Sequence, residues 1–189
     1  MNLLSTFLFE SLNLPERLIS KVEKYFIKEQ ITKNDYLCKF SKQCNRISII
    51  SNGYLRFYSL SEDKEITHWI FGKNQLITDV GSFYLNQPAK WNIQALCSTN
   101  VYSITSEGYS KLKAEVPEWT TYENLFLIKL MSALENRIYA LISMSTEQRY
   151  KYLFESDREI FNQIPLQYIA SMLGMSAETL SRIRSKSNS

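Results

Sequence analysis

A chain of 189 residues has room for one large domain or two small ones. With 44% apolar residues it can build a packed core, which excludes global disorder. A net charge of +3 is too small to prove nucleic-acid binding, but it also excludes the strongly acidic character that would repel DNA.

The first ten residues lack the basic start and long apolar centre of a signal peptide. No apolar run approaches the ~18 residues of a membrane span. A cytoplasmic protein with no membrane partner is expected. Leu14, Leu18, Val22 and Phe26 recur every four residues, so the spacing predicts a helix over 14–27, with Asn13 as cap and Pro15 just inside.

From Tyr36 to Ile104 the pattern changes to short β-rich runs separated by polar turns. Ile47–Ile50 leads through Asn52-Gly53 into Tyr54–Tyr58, and Asn-Gly is a strong signal for a hairpin turn. A turn over 61–64 precedes a strand over Glu65–Phe71. Trp91–Leu96 and Val101–Ile104 flank a polar turn at 97–100, which predicts another hairpin. Many short strands at this spacing suggest a jelly-roll or β-roll.

Ser106–Val116 reads as a helix ended by Pro117, followed by a long helix from Trp119 to about Met144. Within it Leu127, Met131, Leu134, Ile138 and Leu141 alternate steps of four and three. That is a heptad seam, which buries itself against a partner helix or against its own domain. A further helix is expected over Thr146–Phe154, capped by Ser145 or Thr146, with Tyr150, Leu153 and Phe154 on its apolar side and a break at Ser156-Asp157.

The most informative stretch is Ile164–Lys186. Pro165 suits a helix start, where a missing N–H costs nothing. Ile169, Ala170, Met172 and Leu173 form an apolar face, and Gly174 stands where a left-handed residue would end the helix. Ser176 can cap a second helix that turns Leu180 and Ile183 inward. Two short helices about a Gly-containing turn make the helix-turn-helix pattern, whose second helix enters the DNA major groove. An ordinary helical hairpin has the same spacing. Residues 170–189 carry Arg182, Arg184 and Lys186 against Glu178, a local net of +2. A solvated helix end produces the same charge pattern.

This segment resembles the helix-turn-helix of the Crp/Fnr family of bacterial transcription regulators in Gln167, Ile169-Ala170, Gly174, Ser176, Glu178-Thr179 and Ser181-Arg182-Ile183. The resemblance implies base reading by Glu178 and Arg182, and phosphate contacts from Gln167, Ser176 and Thr179, with Ser181 and Lys186 on the same surface. Arg can grip guanine O6 and N7 with two donors, and Glu can accept from cytosine N4. Ala177 stands where many relatives carry Arg or Gln; it can touch only a thymine methyl, so a different operator is expected. Relatives continue into a two-stranded wing, whereas three residues follow Lys186, so wing contacts are expected to be missing.

The order helix, β-roll, long helix, helix-turn-helix is also the family layout, and Gly53-x-x-Arg56-x-Tyr58 looks like a strand of its sensor domain. The expected class is therefore α+β, with a cyclic-nucleotide-binding-like roll over 1–116, a dimerisation helix over 117–145 and a DNA-binding unit over 146–189. Double-stranded DNA, a second copy of the chain and RNA polymerase are the implied partners. The seam Leu127, Met131, Leu134, Ile138 and Leu141 is the implied dimer interface.

In cyclic-AMP-binding relatives, a cassette aligned with 81–95 presents an Arg to the phosphate and a Glu to the ribose. Here Ser82 stands at the Glu position, and Ala89, Lys90, Trp91 and Asn92 stand near the Arg position. Lys90 offers a point charge without the planar fork, and Trp91 is large enough to occupy the pocket. The candidate pocket is Arg56, Gly81, Ser82, Phe83, Lys90 and Trp91, but cyclic-nucleotide binding in the family manner is not expected.

Other cofactors fare no better. Cys38, Cys44 and Cys97 are scattered and contain no C-x-x-C pair, so neither zinc, a disulfide framework nor an iron–sulfur cluster is expected. The lone His68, between Thr67 and Trp69, gives no basis for haem. With one His and neither a nucleophile–base pair nor a phosphate loop, no enzyme site can be assembled. The other reading is a small-molecule-binding module with a vestigial DNA unit.

Overall fold

The computed structural model describes residues 2–62 and 64–187. Two short helices open the chain, α1 (Leu3–Glu10) and α2 (Glu16–Glu23). Leu14, Leu18 and Val22 are buried, as their spacing requires. The helix is shorter than expected, and Asn13 does not cap it. Asn13 adopts a left-handed φ of 55° between α1 and α2, and the Leu14 N–H turns back to the Leu8 carbonyl at 2.9 Å. Pro15 then fixes the φ from which α2 starts.

The strands are β1 (Ile27–Ile31), β2 (Tyr36–Cys38), β3 (Arg46–Asn52), β4 (Leu55–Ser61), β5 (Lys64–Phe71), β6 (Leu76–Ile77), β7 (Asn92–Ala95) and β8 (Thr99–Thr105), with α3 (Val80–Leu85) between β6 and β7. They form two four-stranded sheets, β1-β8-β3-β6 and β2-β7-β4-β5, with every pairing antiparallel.

Both expected hairpins flanking Gly53 and residues 97–100 are corrected. β3 and β4 lie in different sheets, and so do β7 and β8. At the first corner the physical reason is that a left-handed glycine turns the chain equally well into a neighbouring strand or across to the facing sheet; the polar turn at 97–98 likewise leaves the choice of sheet open. Gly53 has φ +94°, and a Cβ there would lie 2.6 Å from Thr99 Oγ1. The two corners are packed on each other, and this close approach demands glycine. The local hairpin is β4–β5, with Ser61 opposite Lys64; of its expected 61–64 turn, Asp63 lies outside the described residues.

α4 (Ser106–Glu115) follows the roll, and then α5 (Trp119–Ser143) runs for 25 residues. α6 (Thr146–Ser156) starts with a reciprocal cap between Ser145 and Gln148. After Asp157 come a single turn, α7 (Ile160–Gln163), then α8 (Leu166–Met172) and α9 (Ala177–Ser187).

Three cores organise these elements. One joins α1, α2, α4 and the start of α5 to the first sheet through Leu8, Leu18, Ile49, Ile104 and Leu112. A second fills the roll around Ile50, Leu55 and Ile93. The third places Tyr54 and Ile70 of the second sheet in one cluster with Ile160, Ile169, Leu180 and Ile183. The C-terminal helices therefore do not stand apart from the roll but share a core with it.

Candidate nucleic-acid interface

α8 ends as the sequence demands. The Met175 N–H reaches the Ala170 carbonyl and the Gly174 N–H reaches Ser171, both at 3.0 Å. These are the two bonds of a Schellman motif, and Gly174 takes the left-handed φ of +66° that it needs. Ser176 then caps α9, its Oγ accepting the Thr179 N–H at 3.2 Å. Ala170 is 1% exposed and Leu180 0%, so the two helices meet through a methyl group and a leucine.

With that side buried, α9 presents its other face to solvent. Glu178, Ser181, Arg182 and Lys186 follow the i, i+3, i+4, i+8 positions of one stripe, and all four are exposed. Gln167 on α8 and the capping Ser176 are also exposed, while Ala177 and Thr179 are half-buried. The Glu178 carboxyl is held below its usual range, first by its own backbone N–H at the helix start and then by Ser176. It stays an acceptor at neutral pH.

Of the six residues of the expected ligand pocket, Gly81, Ser82 and Lys90 lie around the Asp79 carboxylate. Arg56 is engaged elsewhere. It is 1% exposed and sits between the rings of Tyr58 (4.2 Å) and Tyr168 (3.9 Å). It donates to Thr67 Oγ1 at 2.8 Å and Glu65 at 2.5 Å. Its charge is thus spent on the docking of α8 and is not presented to a ligand in the roll. Phe83 packs on the outer core, edge-on to Tyr84 and Tyr109. Ser82 is fully buried, its Oγ accepting the Cys44 N–H. Lys90 is exposed, and Gly81 is half-buried with its carbonyl taken by Asn86 and Gln87. Trp91 lies against Phe57 (5.4 Å) and His68 (4.5 Å), so its ring joins an aromatic cluster.

Three residues not singled out from sequence matter here. Asp79, 2% exposed, accepts from the backbone N–H groups of Ser82 and Lys90, each at 2.9 Å. Donors that could meet an external anion there already bind the chain's own carboxylate. Its position just before a short helix was the available signal. Arg137 donates to the carbonyls of His68 and Met172, each at 2.7 Å, and lies 4.3 Å over the Trp69 ring. Burial, and then the charge of Arg149, lower its pKa to about 10. Glu123, 7% exposed, accepts from the hydroxyls of Tyr84 and Tyr109. No local spacing marks either of these.

Along α5 the seam faces solvent: Leu127, Met131, Leu134, Ile138 and Leu141 are 36%, 66%, 62%, 57% and 40% exposed. Ile128 and Ile142 extend the apolar stripe. Among the described residues, no group of three or more His, Cys, Asp or Glu side chains could hold a metal ion, and no helix is long and apolar enough to cross a membrane.

No protein-family model and no curated protein sequence matches the chain. Solved structures do match. FixK2 from Bradyrhizobium japonicum superposes with a TM-score of 0.72 at 15% identity, over 85% of this chain and 83% of its own. A CooA variant from Carboxydothermus hydrogenoformans gives 0.64 at 21% identity, over 95% and 83%. The catabolite activator protein of Thermus thermophilus gives 0.59 at 16% identity, over 95% and 85%. Roll, long helix and helix-turn-helix follow one another here as in those proteins, and the chain has the fold of the Crp/Fnr family of regulators.

Proposed function

We propose that the chain is a homodimeric, sequence-specific DNA-binding transcriptional regulator. The observation that carries this reading is the solvent-facing stripe Glu178, Ser181, Arg182 and Lys186 on a capped helix whose opposite side is buried. Arg182 and Glu178 supply the donor fork and the acceptor that base edges require, and Gln167, Ser176, Thr179 and Lys186 supply phosphate contacts. The fold neighbours are regulators and not enzymes, which supports a non-catalytic role.

Dimerisation follows from the same need. One short helix reads only a half-site, and two recognition helices must reach half-sites about 34 Å apart. The exposed seam on α5 supplies the apolar surface for a second copy. RNA polymerase is the further partner this role implies. Cyclic-nucleotide binding in the usual manner is disfavoured by Arg56, which serves α8, by Asp79, which occupies nearby donors, and by Trp91, which packs on Phe57. An event in the roll reaches α9 through Arg137 and Arg56, which tie the second sheet to α5 and α8.

The test is a gel shift against the DNA upstream of the protein's own gene. Sequence-dependent binding that weakens steeply with salt supports the reading. Equal affinity for every sequence, or none, contradicts it.

A second reading, a small-molecule-binding module, is favoured by one observation. A cavity of about 470 Å³ lies between α3, α4 and α5, lined by Tyr84, Tyr109, Lys113, Glu123 and Leu127 among others. Its polar groups converge from three helices, as ligand sites require.

A further inference from the structure

Glu123, in the second turn of α5, is 7% exposed and lines the cavity between α3, α4 and α5. Its two carboxylate oxygens are used differently. Oε1 accepts from the hydroxyls of Tyr84, at 2.9 Å, and of Tyr109. Burial, and then the charge of Glu123, raise the Tyr84 pKa; burial, and then the bond to Glu123, raise that of Tyr109. Both phenols therefore keep their protons and go on donating. Oε2 takes no hydrogen bond from any described residue, and the Lys113 ammonium stands 3.8 Å from it, beyond hydrogen-bond reach. The same ammonium lies 5.6 Å from the centre of the Tyr109 ring. Lys113 thus marks where a positive charge is favoured, but its side chain is 42% exposed and makes no hydrogen bond there.

We propose that this cavity binds a small primary amine with an apolar body, its ammonium paired to Glu123 Oε2 in place of Lys113. A buried carboxylate oxygen without a donor is costly, and a cation that donates to it recovers that cost. A free ligand is not tethered to α4, so its ammonium can close to about 2.8 Å and make the charge-assisted bond that Lys113 does not. The displaced lysine, long and flexible, returns its head to water.

The rest of the wall selects the body of the ligand. Phe83 stands edge-on to Tyr109 at 5.3 Å, and Tyr84 and Leu127 add further apolar surface. Ser110 and Asn124, both exposed, offer polar groups at the mouth. A volume of about 470 Å³ suits a small organic molecule. An anion is disfavoured, because among the described residues Lys113 is the one cation lining the cavity and the carboxylate of Glu123 opposes it.

This names a ligand class for the cavity on which the small-molecule reading rests. Leu127, the first residue of the α5 seam, lines the same cavity, so an occupant touches the surface offered to a second copy. Only that consequence rests on the regulator reading.

The test titrates the full chain by calorimetry with three probes of similar shape: phenethylamine, phenethyl alcohol and phenylacetate. The expected result is saturable binding of the amine at millimolar concentration, with the alcohol weaker by roughly tenfold to a hundredfold, the worth of a bond between charged groups, and the carboxylate weaker still. Lys113→Ala, at an exposed side chain, should tighten amine binding by removing its competitor. Glu123→Gln should bring the amine down to the level of the alcohol. Equal binding of all three probes, tightest binding of phenylacetate, or weaker amine binding by Lys113→Ala overturns the amine assignment while sparing the small-molecule reading. No saturation by the amine, or amine binding unchanged in both variants, overturns the proposal as well. DNA is absent from the titration, so this outcome is separate from that of the regulator reading.

Discussion

The guanidinium of Arg56, on β4 of the roll, lies 3.9 Å from the ring centre of Tyr168, on the first helix of the helix-turn-helix. The contact is desolvated, with Arg56 1% exposed. Beside it the Thr67 N–H donates to Ser171 Oγ at 2.9 Å. The second sheet and α8 are therefore coupled by a buried cation on an aromatic face and by one backbone N–H donated to a serine hydroxyl.

Replacing Arg56 by Ala should destabilise the chain by about 3 kcal/mol, given ~2 for a desolvated cation–π contact and ~1 for the bond to Thr67. A double-mutant cycle with Tyr168→Ala, followed by urea unfolding, should show a coupling of about 1–2 kcal/mol. Strict additivity would mean that the stacked pair contributes nothing.

The two left-handed glycines should respond differently to alanine. At Gly174 a Cβ meets Leu141 Cδ2 at an ordinary 3.6 Å, so the change costs only the backbone strain, about 1–2 kcal/mol. At Gly53 a Cβ would also collide with Thr99 Cα at 2.8 Å. Gly53→Ala should therefore cost more than Gly174→Ala, by a margin visible in the thermal midpoints.

His68 carries a pH prediction. Burial, and then the charge of Arg137, lower its pKa below the ordinary 6.5. The unfolded chain then binds the proton more readily than the folded one, so this contribution to stability is complete above 6.5. It is lost as the pH falls from there through the lower folded-state value. His68→Gln keeps a polar group near Ser59 Oγ, the 2.8 Å partner of His68 Nε2. The difference between the wild-type and variant stability curves should grow as the pH falls below ~6.5 and vanish above it.

On α5, Ile138→Glu places a charge in the middle of the exposed seam. Its 57% exposure in the single chain means that the fold should survive. Sedimentation at micromolar concentration should move from dimer to monomer. A wild-type chain that sediments as a monomer would remove the seam from the account.

What the sequence showed and what it hid follow one physical division. Gly174, Ser176, and the spacing of Ile169, Leu180 and Ile183 are local signals, and α8, its turn and α9 lie where those signals put them. The corners at Gly53 and at 97–98 were misread because turn chemistry does not say whether the next strand joins the same sheet. Arg56 was placed in a ligand pocket because its strand motif carries no trace of Tyr168, which arrives from far along the chain. Arg137 and Glu123 were invisible for the same reason: their partners are set by tertiary packing. The exposed stripe Glu178, Ser181, Arg182 and Lys186 was legible because one helix periodicity, with its cap at Ser176, puts it on one side of α9.

The central claim is that the exposed face of α9 reads base sequence, and one measurement addresses it directly: equilibrium binding of wild type, Arg182→Ala and Lys186→Ala to a selected duplex and to its scrambled counterpart, over a range of salt. The account predicts that Arg182→Ala loses about 1–3 kcal/mol on the selected duplex and discriminates less, whereas Lys186→Ala weakens both duplexes alike and lowers the salt slope by about one. Undiminished affinity of Arg182→Ala for the selected duplex would contradict it.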